Sequence, residues 1–390
     1  MRAPKIVAVA SAIDLDFRYG CTPAWWQLWK GLYEAGVDLL VTPYRGRAVE
    51  SPWWRAAENP CLREGELFSR AKRLVGRRPA GSASLVERWV RPRWQRHLER
   101  ILARERDVDA VLVFNVPMGH FTGIPTALRE RFSVPVVYYD GDVPASLPEH
   151  GGFETGFATY ADADPSEYDL VVSNSLGGLH RLRELGARRA EAVFWGADPD
   201  FFAPLELRKD SDVFFYGYGD EFRRDWMREL VGEPSRRLPE VDFVLGGNGF
   251  RADVGLARLA GDVPFGSFRR AVCASRVNLN ITRASHAAVH ASSTCRPFEL
   301  AACGAAMVSN PVAGLERWFE PGEEIVVVSD ADEATEAYRE LLADPASAEE
   351  FGRRARERVL DEHTYAHRAA QLMDLIGIGT ASRVEVAAGA

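Results

Sequence analysis

The stretch RPFELAACGAAMVSNP, from Arg296 to Pro311, couples a charged pair to a glycine stop and a short apolar run. Arg296 and Glu299 are three residues apart, so on the first turn of a helix both side chains project from the same side. Gly304 predicts the end of that helix, and Ala306–Ser309 predicts a buried strand. A helix N-terminus favours a diphosphate, and a nearby carboxylate can accept hydrogen bonds from ribose hydroxyls. The segment therefore predicts a nucleotide-sugar site.

The same spacing also fits a solvated surface ion pair, which is the common meaning of an Arg and a Glu three apart on a helix. The preceding residues favour a ligand site instead. The apolar run 277–281 leads into the small, polar stretch 282–294, and the helix follows. In open α/β sheets, ligands bind where strands end in such loops. We therefore expect a nucleotide-sugar site bordered by Thr294, Arg296, Phe298 and Glu299.

Over most of its length the chain resembles the CgeB-like branch of glycosyltransferases. The motifs that carry the resemblance are NLNITR at 278–283, CRPFELAACG at 295–304, EHTYAHR at 362–368 and, more weakly, the segment 14–36. The resemblance implies an α/β GT-B fold, in which two Rossmann-like domains face each other across a cleft and a C-terminal helix crosses back to the first domain. It also implies that Glu299 holds the donor ribose. Glycogen-synthase-like transferases carry a further Glu where this chain has Ala291, so donor sugar and stereochemistry stay open.

Length and composition fit two globular domains. The 390 residues include 46% hydrophobic and 27% charged residues, with a net charge of −8. We expect an acceptor-side domain over 1–205, a nucleotide-sugar-binding domain over 206–375 and a tail over 376–390, with the polar stretch 197–211 as the linker. The five cysteines lack zinc-site spacing, and we find no signal peptide and no long apolar segment. These features predict a cytoplasmic protein.

Short apolar runs bounded by Pro, Gly or Asp predict parallel strands in both halves. In the first half these runs cover 5–10, 37–41, 108–114, 134–139 and 170–173. In the second half they cover 213–217, 241–247, 277–281, 306–309 and 324–328. Helices are predicted over 23–35, over the charged segment 221–231, and from EHTYAHR to about Leu375.

The segment VFFYGYGDEFRRDW, residues 213–226, ends a predicted strand in glycines and then supplies two arginines. Gly217 and Gly219 would let the backbone approach a diphosphate, and an arginine offers forked donors to phosphate oxygens. The family resemblance implies that one arginine here lies near the donor phosphates, and Arg224 is narrowly preferred over Arg223. A second candidate is Arg283, at the end of NLNITR. An ordinary surface charge is the alternative for each arginine.

These residues suit transfer of a sugar from a nucleotide-diphosphate donor to an unidentified acceptor hydroxyl. Fixed positive groups stabilise the charge that grows on the leaving diphosphate. The resemblance to GT-B enzymes implies that these groups act in place of a metal, so no cofactor or metal is expected. A general base should come from the first half, where the candidates are Asp142 in YYDGDVP and His120 in FNVPMGHF.

Two other functions stay open. Asp140 and Asp142 could form the metal-binding DxD of a GT-A transferase, although Asp-x-Asp recurs throughout the chain and has little specificity here. Alternatively, the chain is a degenerate transferase that binds a nucleotide or a partner without catalysis, which Ala291 and the unassigned base would fit.

Positive charge is concentrated between Arg63 and Arg106, where thirteen Lys or Arg residues stand against five Glu in an otherwise acidic chain. This composition predicts either a solvated, arginine-rich helical insertion around 60–106 or a weak contact with an anionic acceptor or surface. No nucleic-acid motif accompanies it, so a nucleic-acid partner is not expected. The expected partners are a nucleotide-sugar donor and a small-molecule or glycan acceptor.

Overall fold

A computed structural model describes residues 2–13, 24–66, 86–150, 159–219 and 221–379, with only the backbone of Glu221. Residues 14–23 of the weakly matching segment 14–36, residues 67–85 of the basic segment and the tail from 380 onwards lie outside these described residues. The chain divides into two compact units. The first takes the described residues up to Val193, except Ala24, and those from Ala369 onwards, and the second takes Phe194–Arg368 and Ala24.

The first unit contains a sheet of seven strands, all parallel, in the order β3-β2-β1-β4-β5-β6-β7. Its strands are β1 (Lys5–Ala12), β2 (Asp38–Arg45), β3 (Arg55–Ala56), β4 (Ala110–Phe114), β5 (Val136–Asp140), β6 (Leu170–Ser173) and β7 (Ala190–Ala192). Residues 6–10 of β1 and all residues of β4 and β5 are buried, which explains the apolar character of these runs. The predicted strands are confirmed, and the strand order is that of a Rossmann-like sheet.

Among the described residues, the helices that accompany this sheet include α1 (Ala24–Glu34), α2 (Arg91–Glu105), α3 (Ile124–Phe132) and α4 (Leu179–Glu184). Helix α2 comes from the basic segment that was expected to be an insertion. It buries Trp94, Leu98, Ile101 and Leu102 in the core of the first unit. Residues 91–105 therefore form an integral core helix, because their apolar positions recur at helical spacing between the arginines.

The second unit contains a six-stranded parallel sheet in the order β10-β9-β8-β11-β12-β13. Its strands are β8 (Ser211–Tyr218), β9 (Phe243–Asn248), β10 (Arg258–Gly261), β11 (Ser275–Asn280), β12 (Ala306–Ser309) and β13 (Val326–Val327). The five strands predicted for this half are confirmed, whereas β10 was missed. The two Rossmann-like sheets confirm the predicted α/β architecture.

The helices that follow are α5 (Arg224–Met227), α6 (Glu233–Arg237), α7 (Phe265–Cys273), α8 (Ala284–Ala288), α9 (Cys295–Ala302), α10 (Ala331–Ala343), α11 (Pro345–Glu362) and α12 (Tyr365–Leu375). The single helix predicted over 221–231 is wrong in detail. A 3₁₀ turn at Glu221–Arg223 precedes α5, and a π-helical turn at Arg228–Gly232 joins α5 to α6. Within the described ranges, no helix combines the length and apolar character needed to span a bilayer.

Helix α12 passes from the second unit into the first between Arg368 and Ala369. On one side of this point, Arg368 Nε donates to the Trp195 carbonyl at 3.0 Å. On the other side, Gln371 Nε2 donates to the Ala192 carbonyl at 3.1 Å, and the Leu375 carbonyl accepts from Arg189 at 2.9 Å. The predicted return of the last helix to the first domain is confirmed.

Candidate functional site

The strand order reverses once in each sheet, between β1 and β4 in the first unit and between β8 and β11 in the second. At such a point, the connections that leave the two strands diverge to opposite faces and open a crevice at the carboxyl ends. In the second unit, β8 ends at Tyr218 and β11 ends at Asn280. These two strand ends define where a ligand is expected in that unit.

Arg223 connects the ends of these two strands. Its Nε donates to the Ile281 carbonyl at 2.8 Å, and its Nη1 donates to the Tyr218 carbonyl at 3.0 Å. One guanidinium is therefore held directly at the crevice of the second unit. Arg224, which was preferred from the sequence, is the first residue of α5 and is exposed to solvent.

Arg283 follows β11 and immediately precedes α8. Polar side chains hold the loop from which it projects. Asn310 Oδ1 accepts from the Thr282 backbone N–H at 2.7 Å, and Asn280 Nδ2 donates to Ser309 Oγ at 3.0 Å. This network fixes the backbone of Arg283 at the same sheet edge that carries Arg223, so both arginines bring positive charge to that edge.

Gly217 and Gly219 are buried in β8 and just after it. A Cβ atom at Gly219 would lie 2.2 Å from Phe250 Cδ1, and one at Gly217 would lie 2.9 Å from Phe215 Cζ. Packing of these aromatic rings therefore already requires glycine at Gly219 and strongly disfavours a side chain at Gly217. A close approach of the donor diphosphate to the protein backbone at these two glycines stays a prediction.

Arg296 and Glu299 form the ion pair expected from their spacing, with 3.0 Å between Arg296 Nη1 and Glu299 Oε2. Their side chains are only 15% and 0% exposed, so the alternative of a solvated surface pair is wrong. The guanidinium carbon of Arg296 lies 4.3 Å from the ring centre of Phe268 and 4.9 Å from that of Tyr216. These cation–π contacts hold Arg296 in the interior, where it orients the Glu299 carboxylate.

The other predicted residues of this segment lie on both sides of the start of α9. Thr294 is the N-cap residue and is half-buried. Phe298 is fully buried, and its ring packs against Trp318, Phe319 and His363. The Phe298 ring thus supports α9 from the protein interior. Ala291, where glycogen-synthase-like transferases carry Glu, is buried and has a left-handed backbone with φ of 46°.

In the first unit, Asp140 ends β5 and is 1% exposed. Its Oδ2 accepts from Ser146 Oγ and Tyr160 OH, each at 2.6 Å, and its Oδ1 accepts from the Asp142 backbone N–H at 3.0 Å. Burial raises the pKa of Asp140 to about 6, and these hydrogen bonds offset only part of that effect. Both carboxylate oxygens are therefore engaged in holding the loop 141–147.

Asp142, one of the two predicted bases, is half-buried at the same strand end. Its Oδ2 accepts from Asn115 Nδ2 at 3.1 Å, and Asn115 Oδ1 accepts from the Gly141 backbone N–H at 2.8 Å. Asn115 follows β4 with a left-handed φ of 47°, a conformation that Asn tolerates better than most residues. Asn115 therefore positions Asp142 at the edge where β4 and β5 end.

His120, the other predicted base, lies in the 3₁₀ turn Met118–Phe121 and is half-buried. Its Nδ1 makes a short hydrogen bond with the hydroxyl of Tyr44, a residue of β2. The hydroxyl fixes the orientation of the imidazole ring. His120 thus has the defined orientation that a proton acceptor needs.

Comparison with known proteins identifies a similar family and similar folds. Residues 223–374 match the glycosyl transferase-like family. Alpha-maltose-1-phosphate synthase of Mycobacterium tuberculosis (strain CDC 1551 / Oshkosh) is 36% identical over 86 residues, which is 20% of this chain. That alignment spans only 22% of the length of the curated relative.

Several solved structures are similar along nearly the whole chain. Sucrose-phosphate synthase from Thermosynechococcus elongatus has a TM-score of 0.67 at 18% identity, with 95% of this chain and 98% of that chain covered. Anabaena HepE in complex with UDP-glucose has a TM-score of 0.61 at 12% identity, with 96% and 99% covered. T4 phage BGT in complex with its UDP-glucose substrate has a TM-score of 0.58 at 13% identity, with 96% and 100% covered.

The fold is thus GT-B, the class that comprises two Rossmann-like domains. The family match covers most of the second unit and supports glycosyltransferase chemistry there. The alternative of a GT-A transferase is wrong, because the architecture is GT-B and because Asp140 is committed to its own loop. Among the residues that the structure describes, no group of three or more His, Cys, Asp or Glu side chains is arranged to hold a metal ion.

Sequence reasoning ranked one important residue second and missed another. Arg224 was narrowly preferred over Arg223 as the arginine near the donor phosphates. The two residues are adjacent, and the sequence does not reveal where the 3₁₀ turn ends and α5 begins. Asn115 was not considered, although an Asn directly after an apolar strand run is a usable signal for a left-handed strand end.

Proposed function

We propose that the protein transfers a sugar from a nucleotide-diphosphate donor to an acceptor hydroxyl without a metal, with the donor bound by the second unit and the acceptor by the first. The printed descriptions of HepE and T4 phage BGT, each in complex with UDP-glucose, support a nucleotide-sugar partner. The observation that carries the proposal is the position of Arg223, whose guanidinium joins the carboxyl ends of β8 and β11 where their order reverses.

The leaving diphosphate is the group that these arginines serve. Negative charge grows on it as the bond to the sugar breaks, and the sugar acquires oxocarbenium character. Arg223 and Arg283 supply fixed positive charge, and the backbone N–H groups at the start of α9 supply further donors. Charge held in place before the reaction lowers the barrier, because no reorganisation is needed in the transition state.

Glu299 has the role of ribose acceptor in this proposal. A carboxylate accepts hydrogen bonds from two vicinal hydroxyls, and Arg296 fixes its orientation. Because the Glu299 side chain is inaccessible to solvent in this structure, the ribose reaches it only when the surrounding residues move on nucleotide binding. Thr294, Gly217 and Gly219 then border the donor, whereas Phe298 supports α9 from the interior.

The acceptor hydroxyl loses a proton to the first unit. Asp142 is the preferred base, because Asn115 holds its carboxylate at the strand ends. His120 is the second candidate.

We also infer membership of the CgeB-like branch from the motifs around Arg283 and Glu299. A cytoplasmic location agrees with the free thiols of the four described cysteines, Cys61, Cys273, Cys295 and Cys303.

A thermal-shift screen tests the donor site. Wild-type protein is heated with UDP, GDP, dTDP, ADP or CMP, and the nucleotide that raises the melting temperature is then used with Arg223→Ala and with the exposed control Arg224→Ala. We expect Arg223→Ala to weaken nucleotide binding by about tenfold to a hundredfold, because a charge-assisted hydrogen bond contributes about 1.5–3 kcal/mol. Arg224→Ala should bind like wild type.

Each melting temperature is compared with that of the same variant without nucleotide, because Arg223→Ala also removes two hydrogen bonds to backbone carbonyls. Hydrolysis of the matching nucleotide sugar, measured with and without EDTA, then tests the chemistry. Nucleotide binding without any turnover would establish the degenerate binding protein instead. Loss of turnover in EDTA would contradict metal independence, and absence of any nucleotide shift would overturn the proposed donor site.

A further inference from the structure

A groove of about 1140 Å³ lies in the first unit, outside the residues assigned to catalysis. It is bordered by one face of α2 and by residues 56–60, which begin at the last residue of β3. Arg131 at the end of α3 closes one side. The groove therefore accounts for part of the positive charge that the sequence concentrates between Arg63 and Arg106.

Positive charge dominates the wall of this groove. Five arginines line it against two glutamates, Glu58 and Glu99. Some of this charge is compensated by ion pairs, in which Arg93 pairs with Glu64, Arg104 with Glu105 and Arg131 with Glu99. Arg96 and Arg100 are different. Their Nε atoms donate to the carbonyls of Pro92 and Arg96, one helical turn back, and neither arginine has a carboxylate partner among the described residues.

The arginines of α2 stand in an arrangement that is unfavourable by itself. Arg96, Arg100 and Arg104 follow one another at four-residue spacing, so each guanidinium is next to another on the helix surface. Like charges at this spacing destabilise a helix. The buried face of α2, which includes Trp94 and Leu98, fixes the helix against the sheet. The row of charge is thus held in place and available to an anion.

The lining also indicates the class of anion. Apart from the imidazole of His97, the described lining residues contribute no aromatic ring, so the groove lacks the stacking platform on which single-stranded nucleic acids bind. His97 bonds Thr42 through Nε2 at 3.2 Å, and burial together with Arg100 and Arg104 lowers its pKa to about 4. The imidazole is therefore neutral near pH 7, and the positive charge comes from guanidinium groups. Such forked donors match phosphate oxygens.

We propose that this groove binds a phosphoester group through Arg96 and Arg100, either on a soluble ligand or on a lipid headgroup. The groove is a second ligand site, because it shares no lining residue with the proposed donor and base residues. Its volume is large enough to hold several phosphate groups or a phosphorylated small molecule.

The test uses the full-length protein and two probes. Calorimetric titration with inorganic tripolyphosphate detects a soluble ligand. Co-sedimentation with phosphatidylcholine vesicles, with and without phosphatidylglycerol, detects a headgroup. We expect Arg96→Ala/Arg100→Ala to bind the effective probe at least about tenfold more weakly than wild type, because two charge-assisted contacts are lost. The affinity of Arg96→Lys/Arg100→Lys for the probe should lie between those of the wild type and the alanine variant, because the charge is kept and the forked donor geometry is lost.

The control is Arg188→Ala/Arg208→Ala, which removes the same charge from two exposed positions outside the groove and should bind like wild type. The titration is repeated with Arg223→Ala, in which the proposed donor site is weakened, and binding at the groove should persist. Tripolyphosphate binding alone assigns a soluble ligand, and vesicle binding that requires phosphatidylglycerol assigns a headgroup. Binding of neither probe, or binding that depends on Arg223 but not on Arg96 and Arg100, overturns the proposal.

Discussion

The two sheets reverse their strand order in the same way and carry opposite charges at the strand ends. In the second unit, Arg223 and Arg283 follow β8 and β11. In the first unit, Asp140 ends β5 and Asp142 follows it, beside Asn115 at the end of β4. The backbone scaffold is common, so the residues placed after each strand decide the chemistry. One end suits a leaving diphosphate, and the other suits a hydroxyl that must lose a proton.

The largest expected effect separates the two candidate bases of the first unit, Asp142 and His120. Asp142→Asn keeps the size of the side chain and its contact with Asn115 but removes the charge. We expect turnover of the nucleotide sugar to fall by about 10²–10⁴, the usual contribution of general base catalysis. The rate constant is measured with saturating donor, and circular dichroism verifies the fold.

His120→Gln is the matched variant for this experiment, and we expect its turnover to stay within about tenfold of wild type. If His120→Gln loses the larger factor, then the base is His120 held by Tyr44. If neither variant loses turnover, the acidic strand end does not supply the base, and the contrast between the two units would not reflect a division of chemistry.

The next effect concerns the buried pair of the second unit. Arg296→Ala leaves the Glu299 carboxylate buried without its partner, and breaking a buried ion pair in this way costs about 3–5 kcal/mol. Urea unfolding, followed by tryptophan fluorescence, measures the change in the free energy of unfolding. Arg224→Ala, on the exposed start of α5, should cost less than about 0.5 kcal/mol. Equal costs for the two variants would mean that the Arg296–Glu299 pair contributes no more than a surface charge.

A smaller effect, on the pH dependence of stability, comes from Asp140. Its pKa is raised from 3.8 to about 6 by burial. Between these values the folded state keeps a proton that the unfolded state has released, so the stability of the wild type decreases as the pH rises through this window. The decrease is on the order of 2–3 kcal/mol. In Asp140→Asn this particular decrease should be absent when unfolding free energies are compared at the two ends of the window.

Ser146→Ala sharpens that comparison. It removes one hydrogen-bond donor to the Asp140 carboxylate, so the pKa of Asp140 should rise further, and the decrease in stability should extend to higher pH. A pH profile of Asp140→Asn that matches the wild type would show that Asp140 does not titrate in this range. The acidic strand end would then be less perturbed than its burial indicates.

Much of the fold was predictable because buried parallel strands appear as apolar runs. Leu170–Ser173 and Ala306–Ser309 were predicted with the bounds that the structure shows. Strand β10 was missed because all four of its residues are exposed, and β7 was missed because it has only three residues. Both strands exist through backbone pairing with a neighbour, which leaves no hydrophobic pattern in the sequence.

The candidate site was predictable where spacing along one helix decides it, and less so where distant segments meet. The Arg296–Glu299 pair follows from its three-residue separation. The position of Arg223 depends on carbonyls of Tyr218 and Ile281, and the second of these lies 58 residues away in the chain. Similarly, the buried environment of Phe298 depends on rings from two other segments, at Trp318 and His363. Such long-range contacts have no local pattern.

The passage of α12 between the two units has a consequence for protein engineering. The polypeptide moves from one unit to the other after Val193 and again after Arg368. A chimaera that exchanges the donor half with that of a relative therefore needs two junctions, and the second falls inside a continuous helix. Exchange of the whole C-terminal part at one junction would also replace Leu372 and Met373, which are buried in the first unit. Recombination at one site thus changes the interior of the half that it was meant to preserve.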